Sequence, residues 1–345
     1  PMLSNLWGLS AETGVNAPSA WNRAQGSRSV VVAIIDTGVD PNHPDLADNL
    51  WVNTQEIPGN GKDDDQNGYV DDYVGASMLG PGSAVDENGH GTHVAGTIGA
   101  TGENGIGVVG INWRASILAV KFLDRNGSGS LANAIRAIDY VTAMKRRGVN
   151  VRLSNNSWGG GGYSQPLYNA INRAKDAGII FVAAAGNEGN DNDLQPAYPA
   201  SYDLENIVSV AAIGRSQQLA SFSNYGAASV DIAAPGVSIL STFPGGGYRS
   251  MSGTSMAAPH VSGALALLLG AEPALGWSDA IAKLYLTALP LPDLSGVIRT
   301  GRKLDAGRLL NNSSQPLPRP KPCLLYTSDA ADDLLCVDLG GRRII

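Results

Sequence analysis

The sequence predicts an α/β fold: a doubly wound, mainly parallel sheet with helices on both faces. Three observations carry this. Short apolar runs rich in β-branched residues recur along the chain, helix-length stretches lie between them, and glycine is frequent, at 43 of 345 residues. Continuous apolar runs suit parallel strands buried on both faces. Their alternation with helices implies a sheet covered on both sides. The glycines lack the three-residue repeat of collagen and suit many tight turns instead.

Val30–Ile35 (VVVAII) opens the series as a strand, and Gly91–Ala100 follows as a helix. Ile117–Phe122 (ILAVKF) is the next strand, before a helix over Leu131–Arg147. In that helix Leu131, Ile135, Ile138 and Val141 hold the 3–4 residue spacing of an amphipathic face. Gly148 stops it as a C′ glycine, and Gly178 does the same for Gln165–Ala177. Val151–Asn155, Ile179–Ala184 (IIFVAA) and Ile207–Ile213 (IVSVAAI) read as further strands. Ile239–Thr242 and Tyr248–Met251 flank Pro244-Gly245-Gly246-Gly247 as a hairpin. It leads into a long helix over Thr254–Leu269. No long internal repeat is present.

Composition narrows the function. The chain is 43% hydrophobic, too apolar for disorder. Its formal net charge of −7 argues against a nucleic-acid or anionic-membrane partner. No apolar run reaches the ~18–20 residues of a membrane span. Residues 1–312 read as one domain, with 1–25 as an N-terminal arm. The start at Pro1, with no signal-peptide pattern, reads as a fragment or processed form. Residues 313–322 read as a linker rich in proline and serine.

Residues 323–345 have no caps and no clear periodicity. CLLYTSDAAD is similar to the in-frame translation of a sequencing-library adapter, and CVDLGGRRII to the flow-cell adapter that would follow it. The segment therefore reads as adapter read-through rather than native protein, a genuine divergent tail being the alternative. Both cysteines, Cys323 and Cys336, fall in it. The rest of the chain thus has no disulfide framework and no thiolate metal site.

Three short motifs carry chemistry. Asp36 ends a buried strand in Ile34-Ile35-Asp36-Thr37-Gly38. Alone it would be a turn or cap residue, and an aspartic protease needs two such carboxylates whereas Asp-Thr-Gly occurs once. Asn88-Gly89-His90-Gly91-Thr92-His93 holds two of the four histidines. They could be buried structural imidazoles, or a metal pair in want of a third ligand. Small residues around His90 suggest a close approach of backbone or substrate. Ser255, in Gly253-Thr254-Ser255-Met256-Ala257-Ala258-Pro259-His260, stands at a helix N-terminus, where N–H groups stabilise negative charge. An ordinary N-cap serine is the plainer reading. An α/β-hydrolase elbow would need a base after Ser255, and His260 lies in the same helix.

Serine needs a base to take its proton, and the imidazole needs a carboxylate to hold its tautomer. In the order Asp, His, Ser, the three motifs make the chain similar to the subtilisin-like serine proteases, the subtilases. The resemblance covers about residues 5–312. It implies that Asp36 orients, His90 is base then acid, Ser255 attacks and His93 is structural. In Ala184-Ala185-Gly186-Asn187, Asn187 resembles the oxyanion-hole residue, with the Ser255 N–H as second donor. Ser157-Trp158-Gly159 resembles the segment that pairs with substrate backbone and lines the first pocket, with Ala184, Ala185 and Gly186 as its far wall. Gly127-Ser128-Gly129 resembles the opposing edge, where an extended peptide adds as a strand. The pocket residues suggest an apolar substrate side chain of medium or large size.

The acidic run Asp63-Asp64-Asp65-Gln66-Asn67-Gly68-Tyr69-Val70-Asp71 reads as a calcium loop. Asp63, Asp65 and Asn67 supply alternate oxygens, Gly68 allows the turn, and the Tyr69 carbonyl and Asp71 follow. A solvated acidic loop is the alternative. By the resemblance a second structural Ca2+ site uses Asp45, Asn104 and the carbonyls of Gly102, Ile106 and Val108, with a further ligand from the N-terminal arm. The resemblance also implies a secreted, extracellular, monomeric endopeptidase with protein or peptide substrates and a propeptide of its own. A catalytically silent calcium-dependent binding protein on this fold, or an esterase, is the rival.

Overall fold

The computed structural model describes residues 2–80 and 84–311. The expected linker at 313–322 and tail at 323–345 lie outside the described residues.

Strand β1 (Gly26–Asp36) shows how one apolar run serves two cores. Val30, Val32 and Ile34 enter one buried cluster, while Val31, Ala33 and Ile35 enter the other. Strand side chains alternate between faces, so an unbroken run of Val, Ala and Ile fills both.

The other strands of this sheet are β2 (Ala76–Ser77), β3 (Arg114–Lys121), β4 (Val151–Asn156), β5 (Ile180–Ala184), β6 (Ile207–Ile213) and β7 (Ile232–Pro235). β8 (Ile239–Phe243) and β9 (Gly247–Met251) form a separate antiparallel hairpin, as expected. β10 (Leu289–Pro290) and β11 (Arg302–Lys303) close one edge. The nine-stranded order is β10-β11-β7-β6-β5-β4-β1-β3-β2, and every pairing is parallel except β10 with β11.

The helices are α1 (Ala17–Trp21), α2 (His90–Gly99), α3 (Leu131–Arg146), α4 (Gln165–Asp176), α5 (Thr254–Ala271), α6 (Trp277–Thr287) and α7 (Ala306–Asn311). α2 and α5 pack on one face of the sheet, α3 and α4 on the other. From β1 the chain builds β3 on one side, then crosses to β4 on the other. The strand order reverses between β1 and β4, and open α/β sheets bind ligands at the carboxyl ends beside such a point.

Both expected helix stops are met in detail. Gly148 and Gly178 have φ of 104° and 80°. Their N–H groups bond Lys145 O and Lys175 O, and the next residues, Val149 and Ile179, bond Met144 O and Ala174 O. This is the paired 5→2 and 6→1 pattern of a Schellman ending.

Two expectations change. The α3 face differs from its spacing: Ala134, Ala137, Ile138, Val141 and Met144 are buried, while Leu131 is 48% exposed. Leu131 begins the helix at the carboxyl end of the sheet, where it borders an open groove rather than the core. α5 also proves long and apolar enough, by length and composition, to cross a membrane, with 83% of that window buried inside the protein. Ser255, His260 and Ser262 interrupt its apolar residues in the sequence, and its burial is that of a central core helix.

Candidate active site

Asp36 is the last residue of β1 and fully buried. The Thr37 N–H donates to its Oδ1 at 2.7 Å. His90 Nδ1 lies 2.8 Å from Oδ1 and 3.0 Å from Oδ2, which fixes the ring and leaves Nε2 for the groove. His90 is the first residue of α2, preceded by Gly89 at φ 105°. A Cβ at Gly89 would stand 2.2 Å from the Phe243 ring, and one at Gly91 2.1 Å from Gly38 O. The small residues flanking His90 are therefore set by close packing of ring and backbone.

Burial alone would lower the His90 pKa. The Asp36 charge and hydrogen bond, with Asp86 adding to them, outweigh it and raise the imidazole above its ordinary value. The other two histidines of the motifs go the opposite way. Burial pushes His93 and His260 down to about 4. His93 Nε2 reaches the Ile239 and Arg249 carbonyls of the β8–β9 hairpin. His260 Nδ1 donates back to Met256 O within α5. Neither can serve as the base.

Ser255 lies in the first turn of α5, where its N–H has no intrahelical acceptor. Its hydroxyl donates to Ser157 O at 3.1 Å, and the Ser157 hydroxyl donates to Ser255 O at 2.9 Å. This reciprocal pair ties the β4 exit to the α5 start. Asn187 Oδ1 accepts from Thr254 N at 2.8 Å and from the Thr254 hydroxyl at 2.9 Å. With its oxygen thus engaged, the side-chain NH2 is the half left to donate.

Two hollows meet at Ser255. One is a groove of about 760 Å³ bordered by His90, Gly127, Gly129, Ser157, Trp158, Gly159 and Ser255. The other, of about 350 Å³, is bordered by Trp158, Gly159, Ala184, Gly186, Asn187 and Ser255. Gly127 takes φ 75°, and a Cβ at Gly129 would stand 2.6 Å from Phe122 O, so this edge needs glycine. Trp158 packs edge-on against Phe122 at 5.0 Å and forms a wall of both hollows. Ala185 departs from the expectation: its side chain is fully buried in a cluster with Ala211, Ile213 and Val230. Successive side chains leaving β5 point to opposite sides, so Ala184 borders the hollow and Ala185 does not.

The acidic loop divides the expected ligand set. Both Asp63 oxygens accept backbone N–H groups, from Asn67 and Gly68, and both Asp71 oxygens accept those of Asn60 and Gly61. Glu56, Asp65 and Asp72 converge instead, each offering an oxygen within 4.8 Å of the others. Asn53 donates to Asp65 and Asp72, and Asn67 and Tyr140 donate to Asp72. Glu56 is 4% exposed, its Oε1 accepts the Asp64 and Asp65 N–H groups, and its buried Oε2 has no partner among the described residues. Burial, with the Asp72 and Asp65 charges, raises its pKa.

Asp45 is also fully buried, but its oxygens accept Asn104 Nδ2 at 2.6 Å and the Val108 N–H at 2.9 Å. Asn104 Oδ1 in turn accepts the Ile106 N–H, while the Gly102 N–H bonds Trp113 O. Met2 N–H bonds Gly107 O, bringing the N-terminal arm to this loop.

The sequence reading missed Thr254, Asp86, Glu56 and Asp72. Asp72 had a signal, since it adjoins Asp71 in the same acidic run. Thr254 adjoins Ser255, and no pattern marks its side chain as the one that turns Asn187.

Residues 27–315 match the model of the subtilase family. The chain is 39% identical over 301 residues to a thermostable alkaline protease of Halalkalibacterium halodurans, covering 86% of this chain and 72% of that protein. It is 42% identical over 249 residues to a thermophilic serine proteinase of Bacillus sp., covering 72% of this chain and 54% of the relative. To the major intracellular serine protease of Bacillus subtilis it is 38% identical over 285 residues, 80% of this chain and 81% of that one. The chain thus spans about half the length of the Bacillus sp. relative.

Proposed function

The chain belongs to the subtilase family, and we propose that it hydrolyses peptide bonds through an acyl-enzyme on Ser255. The family places it among serine endopeptidases. The observation that carries the mechanism is the hold of Asp36 on His90 Nδ1, at the edge of the groove that Ser255 also borders. The Ser255 hydroxyl swings from Ser157 O to His90 Nε2 and attacks the carbonyl carbon as His90 takes its proton. Asp36 keeps the tautomer and stabilises the imidazolium. Asn187 Nδ2 and the Ser255 N–H receive the oxyanion. Collapse expels the amine, which takes the proton from His90. Water then attacks the acyl carbon as His90 takes its proton, and collapse breaks the bond to Ser255 Oγ, which takes that proton back as the carboxylic acid leaves.

An extended substrate lies between the Gly127–Gly129 edge and the Ser157–Gly159 segment, with its side chain in the smaller hollow. Trp158, Ala184 and Tyr198 give that hollow an apolar surface suited to a medium or large apolar group.

Calcium belongs to the same proposal, in a structural role. Glu56, Asp65 and Asp72 are the ligands the geometry favours, because an open buried carboxylate oxygen beside two others suits a hard cation. The Asp45 and Asn104 loop is the second site proposed. Abundant extracellular calcium supports action outside the cell, and the relative named as intracellular sets the competing location.

The test is labelling by a serine-directed fluorophosphonate together with casein hydrolysis. Both should occur in the parental protein and vanish in Ser255→Ala. Casein left intact while a simple ester is cleaved would favour the esterase, and absence of labelling the silent binder.

A further inference from the structure

α2 begins without a side-chain cap of its own, because its N-cap is Gly89. The turn before it is held by Asp86, which is 5% exposed. Asp86 Oδ1 accepts the N–H groups of Asn88 and Gly89, both at 2.9 Å. Its Oδ2 accepts the Thr92 N–H at 2.9 Å and the Thr92 hydroxyl at 2.6 Å. Thr92 Oγ1 in turn accepts the Asp40 N–H, and the Asp86 N–H bonds Val39 O. One carboxylate thus joins the chain beyond β1, which carries Asp36, to the first turn of α2, which carries His90.

We propose that Asp86 is a positioning residue of the catalytic base: it fixes the turn that presents His90 to Asp36 and sets a second buried negative charge near the imidazole. The inference rests on His90 acting as the base. A misplacement of about 1 Å in a reacting group costs up to about 10²-fold in rate, so the anchoring of this turn matters to chemistry. Four donors keep the Asp86 carboxylate in place, and none of them is a cationic side chain.

Other charged or titratable groups belong to the same region. Asp36 faces it from β1, and His93 follows on α2 as a neutral imidazole. Lys121, at the end of β3, donates to Thr37 O and pairs with Glu87. Asp86 adds to Asp36 in raising the His90 pKa. Neutralising Asp86 should therefore make His90 lose its proton more readily.

The experiment compares Asp86→Asn, Asp86→Ser and Asp86→Glu with the parental enzyme, as kcat/KM on a peptide anilide between pH 5 and 9. The acid limb should move to lower pH in the two neutral variants. It should stay at its parental position in Asp86→Glu, which keeps the charge. In all three kcat should fall by up to about 10²-fold, with KM little changed. An acid limb that stays in place in Asp86→Asn and Asp86→Ser while Tm falls would make Asp86 an ordinary cap and overturn the proposal. So would failure of both neutral variants to fold. NMR titration of the His90 imidazole reads the same shift without turnover. If the parental protein proves inactive and unlabelled, the protease reading fails by itself and the NMR shift still decides the role of Asp86.

Discussion

In the cleft, Asp36 is buried and both of its oxygens face an imidazole that can become a cation. Asp86, also buried, spends its oxygens on backbone and threonine donors. In the loop from Asn53 to Asp72, three carboxylates face one another and are answered by the neutral groups of Asn53, Asn67 and Tyr140, with Arg147 beside Asp65 at 3.4 Å. Burying a charge is costly unless it is paired and hydrogen-bonded. The cleft meets that condition with its own residues and uses the remaining charge on His90. In the loop, Glu56 Oε2 has no donor among the described residues, and that opening is the one the proposed calcium fills. On the proposed function, one region serves chemistry and the other is held in place.

The comparison predicts that changes in the cleft strike rate and leave the fold alone. Ser255→Ala is the largest: kcat should fall by about 10⁶, since losing a catalytic serine costs that much in proteases of this type. Its Tm should stay near the parental value, because the hydroxyl contributes one half-buried hydrogen bond. Near-parental casein cleavage by this variant would remove Ser255 from the mechanism. Asn187→Ala should lose roughly 10²–10³ in kcat with KM little changed. An effect on KM alone would move Asn187 from the oxyanion to ground-state binding.

The sequence made the cleft legible because its chemistry sits in short contiguous motifs at the ends of apolar runs. Asp36 ends a strand and Ser255 starts a helix, and both positions follow from local pattern. What it hid depended on long-range contact or on direction. Thr254 orients Asn187 across 67 residues, and Ala185 turns away from the hollow by strand alternation. Leu131 fits a core spacing yet borders the groove, because spacing cannot say where a helix begins relative to the sheet edge. In the acidic loop, side chains close in sequence proved to cap separate backbone turns, while Glu56 came in from outside the motif. The short β7, β10 and β11 and the short helices α1 and α7 gave too little periodicity to stand out, whereas α6 carries Ala280, Ile281 and Leu284 at helical spacing, a signal the sequence reading missed.

Acid should affect the two kinds of histidine differently. Activity should fall as His90 becomes protonated, with a midpoint above the ordinary imidazole value of 6.5. A rate flat from pH 5 to 9 would argue against a histidine base. Stability follows His93 and His260, which stay neutral in the fold down to about 4. In the unfolded chain an imidazole binds its proton below about 6.5. Between these values the unfolded state holds more protons, so stability is lost as pH falls. Each buried imidazole contributes roughly 3 kcal/mol across that window. The Tm of Ser255→Ala, which cannot digest itself, should drop between pH 7 and 4.5, and less so with His93→Gln added. His90, raised by Asp36, gains stability as pH falls and works against this loss, so the deciding comparison is Ser255→Ala with and without His93→Gln: the same pH dependence in both would show that His93 is not held neutral.

The last and smallest effect belongs to the loop, and it touches stability rather than chemistry. Calcium bound to the native state alone adds RT ln(1 + [L]/Kd), about 2.7 kcal/mol at one hundred times Kd. In Ser255→Ala, calcium should therefore raise Tm and a chelator lower it. Magnesium should substitute poorly, since it demands a tighter octahedral shell and sheds water reluctantly. Glu56→Gln should abolish most of this response with kcat of the otherwise parental enzyme unchanged, because it removes the open carboxylate. Asp71→Asn should leave the calcium response in place, because the Asp71 oxygens already serve Asn60 and Gly61. Equal Tm with calcium, magnesium and chelator would remove calcium from both proposed sites. A response that survives Glu56→Gln but is lost in Asp45→Asn would shift the ion to the Asn104 loop. The three converging carboxylates would then be held by their amide and phenol partners alone.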